Sequence, residues 1–144
     1  MTNDALVLAR NLIRVGKVNS INAVTGTVDV LFEDRDNQII SDLPLMAFEY
    51  DIPEIGQQAL CLFLGNDIGQ GFCLRTFYSD INLPPVANEN IYRKQFSDGT
   101  FIEYKKDSRK LSIHSSEPIT IFGNLNVQGD IVATGTIRSS NIGS

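Results

Sequence analysis

Residues 119–137 are built of six-residue units in which every odd position is apolar or glycine. They read Ile119-Thr-Ile121-Phe-Gly123-Asn, Leu125-Asn-Val127-Gln-Gly129-Asp, Ile131-Val-Ala133-Thr-Gly135-Thr, and then Ile137. Side chains of an extended strand alternate between two faces, so the odd positions form one apolar stripe closed in each unit by a glycine. A glycine on the buried phase leaves room for a sharp bend or a close backbone approach. The pattern predicts short strands bent at regular corners around a narrow axis, and Leu111 and Ile113 open the same phase upstream.

Such a stripe cannot cover itself. Three units make about one turn of a triangular β-helix, and stacked repeats need roughly three or more neighbours before a continuous core forms. Identical chains around a closed symmetry axis can supply the missing surface and pair the free edges. Leu111, Ile113, Ile119, Ile121, Gly123, Leu125, Val127, Gly129, Ile131, Ala133, Gly135 and Ile137 are therefore the expected core of a trimeric, intertwined β-prism.

Upstream the signals are also those of a β protein. Asn3 or Asp4 caps a short helix over 1–13, with Leu6, Ala9, Leu12 and Ile13 at helical spacing, and a helix so short holds only by packing on something. Residues 14–78 carry five strand-like runs separated by Thr25-Gly26, residues 34–37, Pro53-Glu-Ile-Gly56 and a Gly-rich loop at 65–71. Five strands in so short a stretch predict the five-stranded Greek-key barrel called the OB-fold. Residues 59–64 and 72–77 are apolar on both faces, so the barrel's outer side is expected to meet other subunits. Residues 79–90, with Pro84-Pro85, read as an extended linker. In the remaining segment, 91–144, a hairpin with a two-residue Asp98-Gly99 turn precedes the stripe.

The composition narrows the chemistry. A net charge of -5 is concentrated between Asp29 and Asp67, where nine carboxylates face one base, Arg35, so nucleic acid is not an expected partner. Cys61 and Cys73 sit in apolar runs and read as small buried hydrophobes, with a bridge open to them if their strands are neighbours. The acidic start and the lack of a long apolar stretch predict a chain made in the cytoplasm. His114, the single histidine, falls on the outward phase and has no ligand or nucleophile partners at working spacing, so no metal, cofactor or catalytic role is expected. The turn at residues 33–36 lacks the glycine and terminal Glu of a calcium loop, and residues 65–71 lack the lysine of a phosphate loop.

The order of parts resembles the baseplate assembly protein V family, the central spike of contractile phage tails and related injection machines. The resemblance lies in residues 16–32 (Gly-Lys-Val-Asn-Ser-Ile-Asn-Ala-Val-Thr-Gly-Thr-Val-Asp-Val-Leu-Phe), 53–60 (Pro-Glu-Ile-Gly-Gln-Gln-Ala-Leu) and 77–85 (Phe-Tyr-Ser-Asp-Ile-Asn-Leu-Pro-Pro). Residues 96–104 (Phe-Ser-Asp-Gly-Thr-Phe-Ile-Glu-Tyr) and the closing repeat complete it. It implies an OB-fold homotrimer on a baseplate hub, with a β-helical needle driven through the target cell envelope on contraction. Leu6, Leu12 and Ile13 are then the expected hub contacts. Some relatives insert a lysozyme-like domain, for which residues 79–90 leave no room. Others end in a His-x-His tip that this sequence lacks, so Ile137, Asn141, Ile142, Gly143 and Ser144 are the expected seat of a separate tip protein. The competing class is an OB-fold module binding nucleic acid or carbohydrate, which calls for basic and aromatic residues on the exposed sheet.

Overall fold

A computed structural model describes residues 2–65 and 70–140, and divides the chain into two compact units, 1–84 and 85–144. In the first, helix α1 (Thr2–Leu12) is followed by strands β1 (Ile13–Asn22), β2 (Thr27–Phe32), β3 (Gln38–Pro44), β4 (Gln58–Phe63) and β5 (Gly71–Arg75). The second holds β6 (Ile91–Gln95), β7 (Phe101–Lys105) and β8 (Lys110–His114), followed by the stripe. The protein is all-β with one short helix.

The five strands of the first unit lie in the order β3-β2-β1-β4-β5, all antiparallel neighbours. A parallel bridge between Leu45 and Cys73, with the Met46 amide donating to the Cys73 carbonyl at 3.2 Å, brings the end of β3 to β5 and closes the barrel. The cyclic order 1-2-3-5-4 is that of the expected OB-fold. Alternation places Val28, Val30 and Phe32 of β2 and Ala59, Cys61 and Phe63 of β4 inside, where they join Val18, Ile40, Leu43 and Cys73. Phe32 and Phe63 meet edge to face with centroids 5.9 Å apart.

Cys61 and Cys73 do lie on neighbouring strands, directly opposite one another, and both are free thiols sealed in the core. The hydrogen bond that the Cys61 thiol donates to Cys73, together with burial, pushes it above its ordinary range. Arg14 occupies an inward position of β1 among these residues. Its guanidinium stacks on the Phe32 ring at 4.0 Å, while Nε and Nη2 are buried without a hydrogen-bond partner. Burial, reinforced by Arg35, holds its pKa below the ordinary value.

Three boundaries differ from the sequence reading. Ile13 is not helical: it is the first residue of β1 and pairs with Leu62, because the ladder to β4 captures the chain as soon as α1 ends. Residues 79–82 are not linker. Ser79 and Asn82 exchange both backbone hydrogen bonds, the Ser79 hydroxyl donates to Gln58 Oε1 at 2.7 Å, and Asn82 Nδ2 donates to the Phe77 carbonyl at 2.8 Å. These short polar side chains tie the segment to the barrel and move the boundary to Pro84. Finally, the hairpin turn is longer than two residues. The Phe96 amide donates to the Thr100 carbonyl and the Gly99 amide to the Phe96 carbonyl, leaving Ser97, Asp98 and Gly99 as the loop. Asp98 favours this form because its carboxylate accepts from the Thr100 amide at 3.0 Å and the Thr100 hydroxyl at 3.1 Å.

Candidate assembly surfaces

The second unit presents two unlike faces. Strands β6, β7 and β8 form a three-stranded antiparallel sheet whose register aligns Tyr92 with Tyr104 and Leu111, and Lys94 with Ile102 and Ile113. These residues share one face, which is largely apolar and bare: Tyr92 is 72% exposed, Leu111 64% and Ile113 57%. The opposite face satisfies itself. Arg93 forms an ion pair with Glu103, which is buried, and its guanidinium lies 4.0 Å over the Phe101 ring. Phe101 in turn stacks on His114 at 5.2 Å. His114 thus lies on the face opposite Leu111 and Ile113, as its phase predicted.

Beyond β8 no strand is assigned among the described residues. The strands expected in the stripe are not formed among the described residues, where residues 115–140 pair with no strand. What the chain does show is the period. Bends fall at Gly123, at Gln128–Gly129 and at Thr134–Gly135, six residues apart as in the repeat. Gly123 and Gly129 have φ of 128° and 136°, a region that side chains with a Cβ rarely adopt, whereas Gly135 does not have positive φ. A Cβ at any of the three would meet nothing within 4 Å, so the glycine requirement at 123 and 129 within one chain is one of backbone conformation. Ile119, Ile121, Leu125, Val127, Ile131 and Ile137 are all exposed. Asp98 joins the hairpin loop to the start of the stripe by accepting the Ser116 hydroxyl at 3.0 Å. The Thr100 amide first, then Ser116, hold its carboxyl below the ordinary range.

The barrel carries a second apolar surface. Outward positions Ile13 of β1, Leu62 of β4 and Phe72 of β5 stand in register across three strands, and all are exposed. This is the two-sided apolar character that residues 59–64 and 72–77 predicted.

The spike protein of Escherichia phage P2 is 27% identical over 82 residues, a match covering 57% of this chain and 37% of that protein. Over that segment the chain is similar to a phage spike protein. It spans well under half the length of that relative. No protein-family model matches the chain.

Of the expected needle residues, Leu111 and Ile113 lie together on the bare sheet face, and the rest follow in the exposed stripe. Tyr92, Ile102 and Tyr104 were not read from the sequence as part of this surface. The expected two-residue 98–99 loop would set Arg93 opposite Tyr104; only the three-residue 97–99 loop brings Tyr92 opposite Tyr104 and so into line with Leu111. Of the expected hub contacts, Leu6 is half-exposed on α1 and Ile13 exposed on β1, whereas Leu12 is partly covered, its Cδ2 lying 3.7 Å from where a Cβ at Gly65 would stand. Asn141, Ile142, Gly143 and Ser144 lie outside the described residues. Among the described residues no cluster of His, Cys, Asp or Glu could hold a metal ion, and no helix is long and apolar enough to cross a membrane.

Proposed function

We propose that the chain is a structural subunit of the central spike of a contractile phage tail or tail-like injection particle, with a mechanical rather than a catalytic role. Three copies associate through the bare face of the β6–β8 sheet and the stripe that continues it, forming a needle that pierces the target envelope on contraction. The observation that carries this reading is the stripe: apolar on one phase, bent every six residues, exposed in one chain and continuous with an apolar sheet face. Burying such a surface among three copies stabilises by about 25 cal/mol per Å², and closing the edges gives a shaft without free strand edges. The similarity to a phage spike protein supports the same role.

The baseplate hub is the proposed partner at the other end, met by Leu6 of α1 and Ile13 of β1, and nucleic acid is not a partner. A separate protein at the needle tip belongs to the same reading. Native mass spectrometry of the purified chain tests it, with a species of three times 15.9 kDa expected. A monomer at micromolar concentration would refute the assembly.

A further inference from the structure

Two irregular segments of the barrel are pinned in place and yet turn large apolar side chains outward. In the β3–β4 connection, the Gly56 amide donates to the Val18 carbonyl at 2.7 Å. Arg75 reaches the same connection from the end of β5, donating to Asp51 Oδ2 at 3.0 Å and to the Asp51 carbonyl at 2.8 Å. The segment after β5 is held by the Ser79 and Asn82 hydrogen bonds already described. Here Phe48, Tyr50, Ile55, Tyr78 and Ile81 are each at least 68% exposed.

Ile55 and Ile81 line one shallow pocket of about 260 Å³, edged by Glu54, Gln57, Gln58 and Asn82. Residues 46–58 and 76–84 carry Glu49, Asp51, Glu54 and Asp80 and no lysine or arginine, while the adjacent Arg75 is engaged by Asp51. Aromatic and aliphatic groups on a preorganised surface are the material of binding hot spots, since ordering them costs little on association. The acidic surround selects a basic counterpart and disfavours the same flank of a second copy.

We propose that this flank of the barrel is a docking surface for a second protein, which seats an aliphatic side chain between Ile55 and Ile81 and flanks it with lysines or arginines. The surface requires neither the needle nor the trimer; only naming its occupant as the hub would rest on the functional reading above.

The test uses the full chain and two fluorescein-labelled peptides, acetyl-Lys-Arg-Leu-Ile-Arg-Lys-amide and its counterpart with Glu at all four basic positions, followed by fluorescence anisotropy. Saturable binding of the basic peptide and none of the acidic one is expected. Ile55→Glu and Ile81→Glu should each weaken it at least tenfold, and Val24→Glu, at a 96% exposed position of the β1–β2 turn, should leave it unchanged. Absence of saturable binding up to millimolar peptide, or equal weakening by Val24→Glu, overturns the proposal. So does a change in native mass caused by Ile55→Glu or Ile81→Glu, which would make the flank a contact between copies. Failure of the peptide to bind leaves the native mass of the wild-type chain untouched, so it is distinct from failure of the trimer.

Discussion

Asp98 accepts three hydrogen bonds at the mouth of a loop, and its depressed pKa sets the direction of a pH effect. A carboxylate stabilised in the folded state contributes above its unfolded pKa, here the ordinary 3.8, and the contribution is lost as pH falls through the lower folded value. As pH falls through that folded value, below 3.8, the Thr100 amide should lose its hydrogen bond and shift upfield in NMR spectra, and Asp98→Ala should abolish that titration. Arg14 is the opposite case, a charge buried with two unpartnered nitrogens. Burying such a group costs desolvation that no hydrogen bond offsets, so Arg14→Met should raise the midpoint of urea unfolding. Gly129 is constrained by φ, and Gly129→Val should cost about 1–3 kcal/mol in backbone strain alone. On the assembly reading it also crowds the axis with three copies, and loss of the trimer by native mass spectrometry is the expected readout. The close approach inferred from the repeat was thus a statement about neighbours, whereas the conformation seen at 123 and 129 belongs to the chain itself.

Elements were legible where the side-chain period matched what the backbone could do. Residues 59–64 and 72–77, apolar on both faces, forecast a barrel with apolar side chains on its outer side as well as its inner one. Boundaries failed where a tertiary ladder or a single side chain intervened: Ile13 was taken by β4, residues 79–82 by hydrogen bonds to the barrel, and the hairpin loop by the Asp98 carboxylate. The most consequential omission was the sheet face of Tyr92, Ile102 and Tyr104, since a face becomes visible only once register is known. Ile113→Asp, on that face but exposed in one chain, should leave the monomer folded by circular dichroism. On the proposed assembly it should also make the trimer dissociate at least a hundredfold more readily in sedimentation, as three unpaired carboxylates near one axis would lose both solvation and apolar contact.

At the scale of the whole molecule, the two units rest on different physics. The barrel owns a closed core of Val18, Val28, Val30, Phe32, Ile40, Leu43, Ala59, Cys61, Phe63 and Cys73. The second unit has one self-satisfied sheet face and otherwise exposed apolar side chains. A fragment ending at Pro84 should therefore fold, giving dispersed amide resonances and a cooperative melt. A fragment starting at Pro85 should gain order only in step with association, its melting temperature rising with protein concentration. A concentration-independent melt of that second fragment would contradict the division of labour.

Sequence alone determined the β character of the chain, the phase of the stripe and its six-residue period, because each follows from which way successive side chains point along an extended backbone. Only the tertiary structure decided that β3 meets β5 to close the barrel, that Cys61 faces Cys73, that Tyr92 and Tyr104 stand beside Leu111, and that Gly123 and Gly129 hold the bends. Those are matters of register and of backbone conformation between residues far apart in the chain, and local periodicity carries no information about which strand will be the neighbour.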